Sequence, residues 1–270
     1  MSYELLALDL DGTLTNSRKE ITPATRQALI EIQEAGKKIV LASGRPDSGV
    51  LPLARELCMD QYGSYILTFN GARIRQCGTG KIIFNATLPP EVVRPIYEIV
   101  REYPDVDIVS DTDDKLYSGI QANEYTELES RIIFLPITHV DNFPDFIQFP
   151  INALLVPGRA DVLVTLEEHL KQEFPDILNI YRSDPFFLEI LPQDIDKAYS
   201  LQTLLKHLNL TADQMICCGD GYNDITMLQA AGLGVAMGNA VEELKEAADY
   251  ITKTNDEDGV LHVIDQFLRD

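Results

Sequence analysis

The sequence has no tryptophan, only four cysteines and four histidines, and few basic residues: 22 Lys+Arg stand against 43 Asp+Glu, for a formal net charge of −21. Each shortage excludes something. A chain this poor in positive charge lacks a basic stripe able to displace counterions from nucleic acid, and lacks a polybasic segment for an anionic membrane surface. Cys58, Cys77, Cys217 and Cys218 are too few and too irregularly spaced for a disulfide framework. They form neither a Cys-x-x-Cys pair nor a Cys/His zinc spacing. No apolar run approaches the ~18 residues that a transmembrane helix needs. The N-terminus, MSYELLALDLDG, has no basic leader followed by a full-length apolar stretch, so it does not read as a signal peptide. The expected setting is the reducing cytoplasm.

What is present is an ordinary folded composition. The 270 residues are 45% hydrophobic and 24% charged, enough for one large domain or two smaller ones. The negative charge is uneven: residues 1–84 sum to +1, residues 85–188 to −12 and residues 189–270 to −10.

The two ends of the chain share a rhythm of short apolar runs alternating with helical stretches, the signature of a parallel α/β sheet. At the start, Leu5–Leu10 reads as a buried strand. Thr22 and Pro23 open a helix that Gly36 stops. Ile39–Ala42 is the next strand, a helix follows from Pro46 to about Cys58, and Tyr65–Phe69 is a third strand. Asn70-Gly71 is a two-residue hairpin signal with Ala72–Ile74 as the return. Near the end, Met215–Cys218 and Gly234–Met237 are strands, with helices to about Ala231, over Val241–Ala247 and over Val260–Leu268. The middle mixes helices (Glu91–Glu102, Asp161–Gln172) with strand-like stretches and reads as a separate α+β unit. The expected organisation is a discontinuous α/β core, 1–84 and 189–270, with an inserted α+β domain at 85–188.

The chemistry lies at strand ends. Asp9-Leu10-Asp11-Gly12-Thr13 follows a buried strand directly, and ligands of open α/β sheets bind at that carboxyl end. Two carboxylates this close repel unless a proton or cation lies between them, and Mg²⁺ suits a site built only of oxygens. Ser43-Gly44-Arg45 also sits between a strand and a helix, where a hydroxyl and free N–H groups form an anion site. Gly219-Asp220-Gly221-Tyr222-Asn223-Asp224 ends another strand. Helix capping explains one of its acids but not both. Lys197 starts a helix against the macrodipole, a misfit that points to another purpose. Two Asp, a hydroxyl with N–H donors, a Lys and two more Asp suit phosphoryl transfer. In that chemistry Asp9 is the nucleophile, Asp11 the acid and base, and Ser43 and Lys197 the holders of phosphoryl charge. No nucleotide-binding signature accompanies them.

In order and spacing these motifs resemble the haloacid-dehalogenase superfamily. DLDGT at Asp9–Thr13, Ser43, Lys197 and GDGYND at Gly219–Asp224 are similar to its four motifs. The Thr68–Gly71 turn, the GVAMGNA stretch at Gly234–Ala240 and the long insert point to the Cof-type subclass IIB with a C2B cap. The resemblance implies a Rossmann-like three-layer parallel core and phosphatase activity on small phosphorylated metabolites, often sugar phosphates. It also implies Mg²⁺ held through Asp9, Asp11 (by its backbone carbonyl), Asp220 and Asp224. Phosphate would be met by Leu10, Ser43, Gly44, Lys197 and Asn223, with Arg45 and Asn70 near the substrate. No nucleic-acid or membrane partner is expected, and the assembly is a monomer or homodimer. A phosphomutase on the same core and a phospho-acceptor module without turnover are the alternative readings. The third motif departs from its common form: Asp196-Lys197-Ala198 stands where Asn-Lys-Gly is usual.

Overall fold

A computed structural model describes residues 2–112 and 114–269. The chain forms two compact units. Unit 1 contains the residues up to Gly44, Val50–Phe84 and everything from Asp196 on, and unit 2 contains Arg45–Gly49 and Asn85–Ile195.

Unit 1 is built on an eight-stranded sheet with the strand order Tyr250–Ile251, Leu233–Ala236, Met215–Gly219, Leu5–Leu8, Lys38–Ala42, Tyr65–Thr68, Arg73–Gln76, Ile82–Asn85. From Tyr250–Ile251 to Tyr65–Thr68 every pairing is parallel, and the strand Arg73–Gln76 then turns antiparallel. Leu5–Leu8 is central, with Leu5 in register with both Met215 and Lys38. All four of its side chains are fully buried, as expected of a parallel strand covered on both faces. The helix Pro23–Glu34 starts as its sequence signals: Thr22 caps it by accepting from the Thr25 N–H, and Pro23 occupies the first turn. The core joins Leu6, Leu29, Val40, Ile66, Leu201, Leu204 and Ile216 with Cys217 and Cys218. Burial pushes both thiols up, so they act as small apolar fillers.

Unit 2 has a six-stranded sheet in the order Leu178–Asp184, Phe187–Pro192, Leu154–Pro157, Val109–Asp111, Leu116–Ser118, Ile137–His139. Its main core draws Val93, Ile96 and Val100 from the helix Pro90–Val100 and Leu163, Leu166 and Leu170 from Ala160–Glu173. One buried charge is structural. Asp107 accepts from the Ser118 hydroxyl at 2.7 Å, the Thr126 hydroxyl at 3.1 Å and the Ile108 and Ile120 N–H groups at 2.9 Å each, so its carboxylate is fully satisfied.

Four features differ from the sequence reading. The chain returns to unit 1 at Asp196 rather than 189, because Phe187–Pro192 is a strand of the second sheet, paired on both sides. The short segment Arg45–Gly49 groups with unit 2. The Asn70-Gly71 hairpin is not a two-residue turn: Thr68 pairs with Arg73, and a 3₁₀ turn at Phe69–Gly71 carries the chain across. The helix Glu124–Ile133 is additional; its capping box pairs Asn123 with Thr126, not the Glu or Gln that marks such boxes in sequence. Among the described residues no helix is long and apolar enough to cross a membrane.

Candidate active site

Every expected site residue except Arg45 lies in unit 1, at the carboxyl ends of Leu5–Leu8, Lys38–Ala42 and Met215–Gly219 or on segments beside them. Asp9 leaves the central strand with its N–H bonded to the Cys218 carbonyl at 3.0 Å. Gly12 has φ +87°, and a Cβ there would lie 2.2 Å from Asp220 Oδ2, so only glycine lets the loop pass the second acidic motif. Thr13 then donates its hydroxyl to Asp220 Oδ1 at 2.8 Å.

Lys197 is the centre of the arrangement. Its side chain is fully buried and its ammonium donates to Asp9 Oδ1 at 2.6 Å and Asp224 Oδ1 at 2.7 Å. The charge that opposes its helix dipole is thus held by two carboxylates. Asp224 reaches this position from a 3₁₀ turn, Tyr222–Asp224, instead of the regular helix start expected; its Oδ2 accepts from the N–H groups of Asp220 and Gly221 at 3.0 Å each. Asp9, Asp220 and Asp224 each offer an oxygen within 4.8 Å of the others.

The electrostatics follow from burial. Desolvation pushes the Asp9 carboxyl well above the usual range; Lys197 pulls the other way, and Asp224 and Asp220 add to the rise. Burial raises Asp220 to about 6 against the pull of the Thr13 hydroxyl. Burial alone would lower Lys197, but Asp224 and Asp9 more than offset it, so the ammonium is held on more firmly than in water. When ionised, the three clustered carboxylates outnumber the single ammonium and leave an excess of negative charge. An all-oxygen donor set with that excess fits a hard divalent cation.

The remaining residues divide clearly. Ser43 is buried, with its N–H on the Leu67 carbonyl at 2.9 Å, and its own carbonyl receives the Asn70 N–H at 3.0 Å. Gly44 lies against the Asn70 amide, and Asn223 Nδ2 donates to Asn70 Oδ1 at 2.9 Å. Leu10 is fully buried and anchors the loop, its carbonyl accepting the Thr15 N–H and hydroxyl at 2.9 Å each. The Asp11 carboxylate stands apart from the acidic cluster and pairs with Lys19 at 2.7 Å. Arg45 donates to the Gly49 carbonyl at 3.4 Å within unit 2. Three contributors carried no assigned role in the sequence reading: Thr13, Lys19, and Asn239, whose Nδ2 holds the Gly12 carbonyl at 2.8 Å. The GVAMGNA stretch contains Asn239, but only the fold shows what it grips.

The family profile of haloacid dehalogenase-like hydrolases matches residues 6–264. A haloacid dehalogenase-like hydrolase from Bacteroides thetaiotaomicron, solved by crystallography, is 43% identical with a TM-score of 0.93, over 98% of this chain and 99% of that one. The Bacillus subtilis protein named 5-amino-6-(5-phospho-D-ribitylamino)uracil phosphatase YcsE is 30% identical over 264 residues, 98% of this chain and 95% of its own. BT4131, described as a subclass IIB sugar phosphatase, has a TM-score of 0.83 at 26% identity over 98% of each chain. The chain therefore belongs to the haloacid dehalogenase-like hydrolase family, and its enzymatic class is that of the phosphoric monoester hydrolases.

Proposed function

We propose that the enzyme is a Mg²⁺-dependent phosphatase of small phosphorylated metabolites, sugar phosphates foremost, working through an aspartyl-phosphate on Asp9. The observation that carries this reading is the buried Lys197 bridge between Asp9 and Asp224 at the end of the central strand. It fixes one oxygen of the nucleophile and sets a positive charge where the phosphoryl group must sit. Ser43 and the N–H groups of Leu10 and Gly44 complete the cradle. The Asp9 carboxylate attacks phosphorus in line, the bond to the leaving oxygen breaks, and Asp11 supplies its proton. Asp11 then removes a proton from water, which attacks the same phosphorus, breaks the Asp9–phosphorus bond and releases inorganic phosphate. Asp9, Asp220, Asp224 and the Asp11 carbonyl are the residues that would hold Mg²⁺, whose charge offsets that of nucleophile and phosphoryl group.

The sugar-phosphate preference is supported by BT4131's description and by the phosphorylated polyol side chain in YcsE's name. The α+β make-up of unit 2 supports reading it as the cap that the resemblance implies, and the four free thiols suit a cytoplasmic enzyme. The test is phosphate release from p-nitrophenyl phosphate and a panel of sugar phosphates, with and without Mg²⁺. Asp9→Asn should abolish release while the protein stays folded. Retained turnover in that variant refutes the mechanism, and isomerised sugar phosphate without free phosphate would make the enzyme a mutase.

A further inference from the structure

The turn after Tyr65–Thr68 is strained in a way that folding alone does not require. Phe69, Asn70 and Gly71 all have positive φ, at 53°, 50° and 109°. Glycine takes such angles readily and asparagine tolerates them, but a phenylalanine does so rarely. Clustered outliers of this kind persist where the surroundings hold them in place, often at functional sites. Here the surroundings are the start of the Lys197 helix: a Cβ on Gly71 would lie 2.3 Å from the Asp196 carbonyl, and Ser200 donates its hydroxyl to the Gly71 carbonyl.

What the strained turn presents is the Asn70 side chain. It is 2% exposed, its N–H is tied to the Ser43 carbonyl, and Oδ1 accepts from Asn223 Nδ2. Nδ2 is a buried donor with no hydrogen-bond partner among the described residues. Such groups are rare, because an unpaired buried donor costs free energy comparable to a lost hydrogen bond. This one is aimed at the Ser43–Gly44 turn: a Cβ on Gly44 would lie 2.8 Å from it. Glycine at position 44 thus keeps space beside an orphan donor, next to the hydroxyl and N–H groups that form the cradle.

We propose that Asn70 Nδ2 donates to an oxygen of the substrate's phosphoryl group, and that Asn223 acts through Asn70 by holding its amide in that orientation. This rests on the phosphatase reading and changes two expectations within it. Asn70, expected only to lie near the substrate, is assigned to its phosphoryl group, and Asn223 is a positioning residue rather than the phosphate contact itself. A phosphoryl oxygen fits because its charge strengthens a hydrogen bond from a neutral amide, and because every substrate of the enzyme carries one.

The experiment uses the full-length enzyme with Mg²⁺, two esters of unlike leaving group (p-nitrophenyl phosphate and glucose 6-phosphate) and inorganic phosphate as competitive inhibitor. Asn70→Gly keeps the left-handed turn and removes the donor; Asn70→Asp keeps the shape and replaces the donor with an acceptor. Both should lose roughly tenfold to a hundredfold in kcat/KM, by a similar factor for the two esters, with a parallel weakening of inhibition by inorganic phosphate. Asn223→Asp should lose activity alone, yet the double variant Asn70→Gly/Asn223→Asp should be no worse than Asn70→Gly. The proposal is overturned if kcat/KM and phosphate inhibition are unchanged in both Asn70 variants. It is overturned equally if the losses for the two esters differ by more than about tenfold, which would make Asn70 a reader of the leaving group. A double variant that loses the product of the two single effects refutes the role of Asn223. A wild-type enzyme that hydrolyses neither ester refutes the phosphatase reading instead.

Discussion

Replacing Lys197 by Met gives a direct test of how the buried charges are balanced. Methionine keeps an unbranched apolar side chain, one atom shorter than that of lysine, and removes the charge and the donors. Asp9 and Asp224, 7% and 0% exposed, are then left facing each other without the ammonium that bridges them at 2.6 and 2.7 Å. Removing one partner of a buried ion pair costs about 3–5 kcal/mol. At roughly 2–4 °C per kcal/mol for a protein of this size, the unfolding midpoint in chelator falls by roughly 6–20 °C. Protonation of the carboxylates relieves the repulsion. Burial already raises the Asp9 carboxyl, so the deficit shrinks as pH falls and Asp9 takes up a proton, and the drop is larger at pH 8 than at pH 5. If the acidic cluster holds Mg²⁺ as proposed, added Mg²⁺ should bind the folded form and recover part of the loss, about 2.7 kcal/mol at a hundredfold excess over Kd. Turnover does not recover with it, because loss of a preorganised donor to the phosphoryl group costs about 10²–10³ in rate. Differential scanning calorimetry in chelator at both pH values, followed by a Mg²⁺ titration and p-nitrophenyl phosphate turnover, reads each of these. A midpoint in chelator within about 2 °C of the wild type, or a drop that grows as pH falls, refutes the charge balance argued here.

Other perturbations follow from the same geometry. Gly12→Ala drives a methyl into the Asp220 carboxylate, and the position has φ +87°; divalent-cation affinity, read by calorimetric titration, should weaken at least about tenfold, since displaced metal ligands and their supports typically cost that much. In unit 2, burial raises the Glu189 carboxyl from 4.5 to about 7 although the Ser183 hydroxyl opposes it. The unfolded chain releases this proton first, so wild-type stability relative to Glu189→Gln declines between about pH 4.5 and 7 and is level above, by at most about 3 kcal/mol. A flat difference between the two urea-denaturation profiles contradicts that assignment. The charge of −21 repels an anionic substrate, so attraction must be local; kcat/KM should hold steady in a salt that does not compete for the site, and a steep decline would show long-range steering.

The parallel core was legible because its strands are uninterrupted apolar runs ending in acids and glycines: Leu5–Leu8 before Asp9, Met215–Gly219 before Asp220. Periodicity and punctuation suffice where both faces of a strand are buried. Unit 2 was less legible for the opposite reason. Val109–Asp111 and Leu116–Ser118 show in the sequence as strand-like stretches at Ile108–Ser110 and Leu116–Tyr117, but Ile137–His139 is three residues long and partly polar, so no period develops, and Leu178–Asp184 mixes charged and apolar residues. Within the site, spacing located the acids but not their partners. That Asp224 accepts from the N–H groups of Asp220 and Gly221, that Asp11 turns to Lys19, and that Asn223 grips Asn70 are contacts made by loops of irregular conformation, which no repeat in the sequence encodes.

The central strand also bears on how the protein is made. Leu5–Leu8 pairs with Lys38–Ala42, which emerges soon after it, and with Met215–Gly219, which emerges only after the whole of unit 2; the Thr13–Asp220 bond spans 207 residues. Closing a loop of that size slows folding. All but five residues of unit 2 lie in the continuous stretch Asn85–Ile195, so its sheet can close while the chain beyond Asp196 is still in the ribosome. Unit 1 must wait, with Asp9 exposed, for the strand that completes it. Ribosome-arrested chains long enough for Ile195 to have just cleared the exit tunnel should protect unit 2 from protease and leave Leu5–Leu41 cleavable, and protection of both at that length would show that the early strands pair without their late neighbour.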